Sequence, residues 1–410
     1  MDDWQSIPYA FARVQQSASD VSDMQRAATL RTMHIPYGRQ TIEEDDIAAV
    51  VEVLHGEWLT QGPNVASFED AFASACDAPF AVAFSSGTAA LHAAAHVANL
   101  RTGDELLTSA ITFAASANCG AYVGAKPTFA DIDPHTWNVS ADTVRSALTP
   151  HTRAIVPVHF SGLPAPVREI RAVVGDSVTI IEDAAHALGA YTSDGPVGSC
   201  QYSDMAVFSF HPVKTITSGE GGMVTTRRED LAERLQEFRT HGMVRAPARM
   251  ERHDGSWYHE QQDLGFNYRL TDIQAALGRS QLTKVERFVT RRNDLADRYR
   301  CQLAAVAQLE LPPAAPAGRR HGYHLFVVRH RDGATARRRL YNDLRERGIM
   351  AQVHYLPVYR HPWYRRTYGY QDGMCPAAET YYEGALSLPC FPGLTGEEHE
   401  QVIAAVRALA

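Results

Sequence analysis

Short apolar runs alternate with helix-like stretches along most of this chain, and that alternation constrains the fold more than any other feature. The strand candidates are Glu105–Leu107, Pro127–Phe129, Ala154–Val158, Val178–Ile181, Met205–Phe210 and Met223–Thr226. Helical stretches fall between several of them, and Ile42–His55 and Gly87–Leu100 also read as helices. Such alternation predicts an α/β fold: a mostly parallel central sheet flanked by helices on both faces. Thr271–Arg300 then reads as one long helix or two abutting ones, opened by Thr271-Asp272. Leu325–Val328 and Gln352–Tyr355 look like strands on either side of a helix-like Ala334–Arg347, which makes a smaller α+β unit. The expected organisation is a loosely ordered extension over residues 1–32, a large domain over 33–255 and a small C-terminal domain over 256–410. The extension is rich in Gln, Ser, Ala, Asp and Arg with no apolar block, and Met33 also fits as a start.

The chain's 410 residues suffice for two domains. Its 39 Lys and Arg against 47 Asp and Glu give a formal charge of -8. That balance argues against nucleic acid and anionic membrane as partners. An anionic substrate has to be met by local cations or backbone amides. The cysteines, Cys76, Cys119, Cys200, Cys301, Cys375 and Cys390, form no CxxC pair and no zinc spacing, so neither a metal site nor a disulfide framework is expected. No apolar run approaches the roughly 20 residues of a membrane helix. A reduced, cytoplasmic setting is the expectation.

Within this frame one lysine stands out. Lys214 ends the run Ser209-Phe210-His211-Pro212-Val213-Lys214, between the apolar runs at 205–208 and 223–226 and beside the glycine-rich turn Gly219-Glu220-Gly221-Gly222. A lysine in a partly desolvated pocket loses proton affinity and becomes a nucleophile toward aldehydes, which is what a Schiff-base lysine needs. Ser85-Ser86-Gly87-Thr88 opens a helix after the apolar run Phe80–Phe84. It reads either as an anion cradle of free N–H groups or as an ordinary N-cap. Asp183 ends the run Ile180-Ile181-Glu182-Asp183, where ligands sit in open α/β sheets. It can hold a pyridine nitrogen protonated or cap a following helix, and Glu182 faces the other way. His186 lies about one helical turn on. Phe113, after the strand at 105–107, can stack on a flat ring or join the core. Gly265-Phe266-Asn267-Tyr268-Arg269 embeds polar groups among apolar ones before the long helix.

Together these segments resemble the DegT-type sugar aminotransferases, a family of fold-type-I enzymes dependent on pyridoxal 5'-phosphate (PLP). The resemblance runs from about Ile35 to Leu409 and also takes in Trp58-Leu59-Thr60-Gln61-Gly62-Pro63, Glu182-Asp183-Ala184-Ala185-His186 and His354-Tyr355-Leu356-Pro357. It implies that Lys214 carries PLP and shuttles the proton, and that Asp183 pairs with the pyridinium nitrogen. It also implies that Gly87, Thr88 and Ser209 hold the phosphate, that Phe113 stacks on the ring and that His186 lies near the ring hydroxyl. Asn267 would reach the cofactor phosphate of a neighbouring subunit, implying a homodimer with shared active sites. Arg245, His324, His354 and Tyr355 are the candidates for the sugar nucleotide; each also has an ordinary structural reading.

Within the family the chain is similar to the branch that aminates UDP-linked N-acetyl 4-keto sugars in pseudaminic acid synthesis. Ile35-Pro36-Tyr37-Gly38-Arg39-Gln40 and Pro157-Val158-His159-Phe160-Ser161-Gly162 carry that likeness. Thr215, where the branch has proline, and His241-Gly242-Met243-Val244-Arg245, which lacks the usual Ile-Thr before the arginine, depart from it. The implied reaction is amination of UDP-2-acetamido-2,6-dideoxy-β-L-arabino-hex-4-ulose with glutamate as donor. A dTDP-linked 4-keto-6-deoxy sugar as acceptor is one alternative, and a PLP-binding sensor without turnover is another.

Overall fold

The structure, a computed structural model, describes residues 34–252 and 254–410, so the extension expected over 1–32 lies outside the described residues. Seven strands form the central sheet: β1 Phe80–Phe84, β2 Glu105–Ser109, β3 Lys126–Ala130, β4 Thr152–Val156, β5 Thr179–Asp183, β6 Met205–Ser209 and β7 Gly222–Thr226. Their order is β1-β7-β6-β5-β4-β2-β3. Only β7 runs antiparallel, to both β1 and β6. The remaining pairs are parallel, which brings the carboxyl ends of β2, β5 and β6 to one edge.

Both faces of this sheet are covered, which is why its strands read as continuous apolar runs. On one face Val82, Phe84, Leu106, Val156, Ile181 and Val207 meet the helix Gly87–Val97. That helix buries Ala90, Ala93, Ala94 and Ala95 completely, and its small side chains let it lie close to the strands. On the other face Ala81, Ala83, Ala206 and Phe208 meet Phe68 and Phe72 of the helix Pro63–Ala75.

The stretch expected as one helix or two is two: Asp272–Leu282 and Val285–Leu303. Ala275 of the first packs with Phe68 and Phe72, whereas Leu295, Ala296, Tyr299 and Leu303 of the second pack with Phe326 and Leu388. Lys284, at the junction, is buried and held 2.6 Å from Asp46 and 2.8 Å from Asp45. The C-terminal sheet has three strands, β8 Leu309–Glu310, β9 Phe326–His330 and β10 Ala385–Leu388, antiparallel in that order. Ile35–Pro36 pairs in parallel with Ile349–Met350, tying the start of the described chain to this unit.

The strand expected over Gln352–Tyr355 does not form. Gln352 makes one isolated bridge to Ser387, and the residues after it are irregular. Side chains take the partners a ladder would use: the Tyr381 hydroxyl donates to the His354 carbonyl at 2.8 Å, and His354 Nδ1 pairs with the Ser387 hydroxyl at 2.8 Å. Among the described residues no helix is long and apolar enough to cross a membrane, and no His, Cys, Asp and Glu cluster is arranged to hold a metal ion.

Candidate active site

The carboxyl edge of the sheet gathers the site. Asp183 ends β5 with its side chain buried. Its Oδ2 accepts a hydrogen bond from the Ser116 hydroxyl at 2.6 Å, and its Oδ1 accepts one from the Ala185 N–H at 3.1 Å. Ser116 sits in the first turn of the helix Ala115–Tyr122, and its hydroxyl also pairs with Thr112 Oγ1 at 2.7 Å. No helix begins directly after Asp183, so it is not an N-cap; it closes a local turn. Glu182 points to the opposite side of the strand, as the pleat requires, and meets His159 and Ser203 there.

Lys214 follows β6 by a short turn. Its N–H donates to the His211 carbonyl at 2.9 Å, and Phe210 is pinned by Gly221 and Ser218. The side chain is half-buried. Desolvation lowers its pKa to about 8, against an opposing pull from the Asp183 carboxylate. The amine is thus a far better nucleophile at neutral pH than a surface lysine.

Three buried histidines and a tyrosine stand over this pair. The His186 and His324 rings lie 4.4 Å apart, and the Tyr355 hydroxyl is 3.4 Å from His186 Nε2. Burial first, and then neighbouring positive groups including Lys214, hold His186 and His324 well below the usual histidine range. The same causes bring His354 down to about 3. All three are therefore neutral at physiological pH. The Nδ1 atoms of His186 and His324 are buried without a hydrogen-bond partner among the described residues. Buried polar atoms are nearly always satisfied, so such a pair beside a reactive amine marks a place shaped for a polar ligand.

Gly87 and Ser209 meet at the foot of the site. A Cβ on Gly87 would lie 2.9 Å from Ser209 Cβ, and one on Gly222 would lie 2.4 Å from the Ser86 carbonyl, so glycine alone permits this approach. Ser86 caps the helix by accepting from the Ala89 N–H at 3.1 Å. The first-turn N–H groups of Gly87 and Thr88 lie outside the helical ladder. The segment is a capped helix whose leading turn lies against Ser209. Thr88 is exposed. Phe113 is 59% exposed, which removes it from the core, and its ring is 6.2 Å from that of Tyr355.

Two expected residues stand apart. Arg245 is exposed just past a small hairpin pairing Met243–Val244 with Glu260–Gln261. Asn267 is exposed and bridges to Thr240 through the backbone. Neither side chain bonds to the Lys214 group among the described residues. Ser116 and Thr112, which hold Asp183, escaped the sequence reading. A serine inside Ala115-Ser116-Ala117-Asn118 carries no local mark of its partner, 67 residues away in the chain. The residues present fit a flat anionic aldehyde: an amine to capture it, a carboxylate for a ring nitrogen, amides for an anion and an exposed aromatic face.

Comparison with known proteins agrees with this geometry. The DegT/DnrJ/EryC1/StrS aminotransferase family model matches residues 40–407. The spore coat polysaccharide biosynthesis protein SpsC of Bacillus subtilis is 37% identical over 381 residues, covering 92% of this chain and 97% of that protein. Helicobacter pylori PseC, an aminotransferase involved in the biosynthesis of pseudaminic acid, is 29% identical and superposes with a TM-score of 0.84 over 92% of this chain and 99% of its own. The PLP form of Streptococcus pneumoniae Spr1654 is 28% identical, with a TM-score of 0.85 over 92% of this chain and 98% of its own.

Proposed function

The chain belongs to the DegT/DnrJ/EryC1/StrS aminotransferase family and is a sugar aminotransferase of fold type I, and from that premise we propose that it binds PLP at Lys214 and aminates a nucleotide-linked 4-keto-6-deoxy sugar with glutamate as donor. The observation that carries this reading is the desolvated Lys214 amine, with its pKa near 8, facing a buried and doubly hydrogen-bonded Asp183. When bound, PLP supplies an aldehyde and an electron sink.

The chain's own groups do the rest. The amides of Gly87 and Thr88 and the Ser209 hydroxyl hold the phosphate. Phe113 covers one face of the ring. Asp183 holds a proton at the ring nitrogen, and Ser116 and Ala185 fix its carboxylate for that contact. His186, whose buried Nδ1 has no partner among the described residues, would lie near the ring oxygen. The Lys214 amine takes the proton from the donor's α-carbon and later returns one to the sugar carbon. A base with pKa near the working pH is suited to both directions.

The acceptor in this reading is UDP-2-acetamido-2,6-dideoxy-β-L-arabino-hex-4-ulose, supported by the likeness to PseC. His324, His354 and Tyr355 line the sugar side, and Arg245 offers a cation for the diphosphate. Asn267 acts on the neighbouring subunit of a homodimer. The exposed Leu264 and Phe266, close before Asn267 in the chain, support that assembly.

Half-reaction absorbance on the PLP-loaded protein tests the reading. Glutamate bleaches the visible cofactor band, and the UDP-linked ketosugar restores it after the glutamate is removed. Recovery with the dTDP-linked sugar alone moves the substrate to the deoxysugar alternative. A band that glutamate leaves unchanged leaves a cofactor-binding sensor in its place.

A further inference from the structure

Behind Asp183, on the side of β5 away from Lys214, lies a second buried carboxylate that the proposed chemistry does not use. Glu182 is 6% exposed and His159 is 1% exposed. His159 Nε2 is 2.7 Å from Glu182 Oε2, and the Ser203 hydroxyl donates to the other carboxylate oxygen. The Ala165 N–H donates to His159 Nδ1 at 2.9 Å. An Nδ1 that accepts a hydrogen bond carries no proton, so the proton sits on Nε2 and is donated to Glu182. Glu182 therefore accepts from His159 on one oxygen and from Ser203 on the other, deep in the interior.

The same segment grips Asp183 through the backbone. The His159 N–H donates to the Asp183 carbonyl at 3.0 Å, and the Asp183 N–H donates to the Pro157 carbonyl at 2.9 Å. One short stretch, 157–165, thus clamps the end of β5 by its main chain and locks itself in place by the His159–Glu182 contact. A buried carboxylate is costly to keep unless both of its oxygens are hydrogen-bonded, as they are here. Here it lies one residue from the carboxylate assigned to the ring nitrogen.

We propose that His159 and Glu182 are positioning residues for the ring-nitrogen site, setting the reach of Asp183 from behind and placing a second buried carboxylate where it favours a protonated ring nitrogen. Neither touches the cofactor. This inference rests on the PLP reading given above.

The test loads the apo protein with PLP labelled with 15N in the ring and reads the ring-nitrogen chemical shift, the cofactor Kd and the apo melting temperature. The wild type gives a protonated ring nitrogen. His159→Gln and Glu182→Gln move the signal toward unprotonated pyridine and weaken PLP binding by about tenfold, the scale on which outer hydrogen-bond partners act at metal sites. Ser203→Ala, which removes one hydrogen bond to Glu182 from a half-buried position, moves both readouts the same way by less and carries the test if the other variants do not fold. Variants that fold and leave the 15N signal and Kd at wild-type values reduce the pair to a structural contact and overturn the proposal. Failure of the wild type itself to take up PLP at Lys214 instead removes the underlying reading.

Discussion

Lys214, Asp183 and His186 are set at strand ends and turns of the central sheet, among side chains that leave them little solvent, whereas Arg245 and Asn267 stand exposed beside a two-strand hairpin at the surface. The first region is built within one chain: each group has a fixed backbone and perturbed or satisfied polar atoms. The second is open to solvent, with Trp257 and Leu264 nearby more than 70% exposed. The difference teaches that the buried polar groups are organised by the sheet, while the proposed substrate-facing rim takes its place from a surface hairpin.

The sharpest way to break this contrast is Lys214→Ala. Glutamate-driven bleaching measured in single turnover should fall by about 10³-fold or more, since the variant loses its proton carrier. Residual turnover near the wild-type rate in a folded variant would sink the assignment.

Asp183→Asn should cost about 10²-fold in the same assay. It carries a pH signature as well. Capture of a small aldehyde by the apo protein should rise through a midpoint near pH 8 in the wild type. Asp183 raises the Lys214 pKa, so its removal should bring that midpoint lower. A midpoint near 10.5 in the wild type would mean that the amine is solvated.

Arg245→Ala should raise KM for the sugar nucleotide about tenfold with kcat little changed, as loss of one charge-assisted contact does. An equal fall in kcat would place Arg245 with the reacting groups instead of at the rim.

Acid should separate the two regions by stability. His354 has a folded pKa of about 3 against 6.5 for an ordinary histidine, and His186 and His324 are lowered too. Between those limits the unfolded chain binds protons that the folded one refuses. Stability is therefore full above pH 6.5 and falls below it, by about 1.4 kcal/mol per pH unit for each such group. Thermal melts from pH 7.5 to 5 should show this slope, and His354→Gln should flatten it.

The smallest effect is expected at Phe113. Its exposure predicts that Phe113→Ala leaves the apo melting temperature unchanged, while PLP affinity falls several-fold, in line with about 0.5–1.5 kcal/mol for an aromatic contact. A large loss of apo stability would show it to be a packing residue.

Much of this was legible in the chain. Most strands of the central sheet lie on runs of buried apolar residues, because both of its faces are covered; the polar Lys126 and Arg153 fall at the starts of their strands. Asp183, Lys214 and the Ser86-Gly87-Thr88 turn were visible because each follows such a run directly. By contrast, Gln352–Tyr355 has the composition of a strand and is not one, since its hydrogen-bond partners come from Tyr381 and Ser387. Local pattern cannot show a competitor that lies elsewhere in the chain.

The sequence by itself determined the α/β class, the family and the place of Lys214 just past a core strand, since these depend on short-range periodicity and on motifs that fold where they stand. Only the tertiary structure decided that Ser116 holds Asp183, that His186 and His324 face each other with unpaired nitrogens, and that His159 backs Glu182. Those relations join residues from 23 to 138 positions apart only through packing, and the strand order that unites them is set by burying both sheet faces, which no local segment encodes.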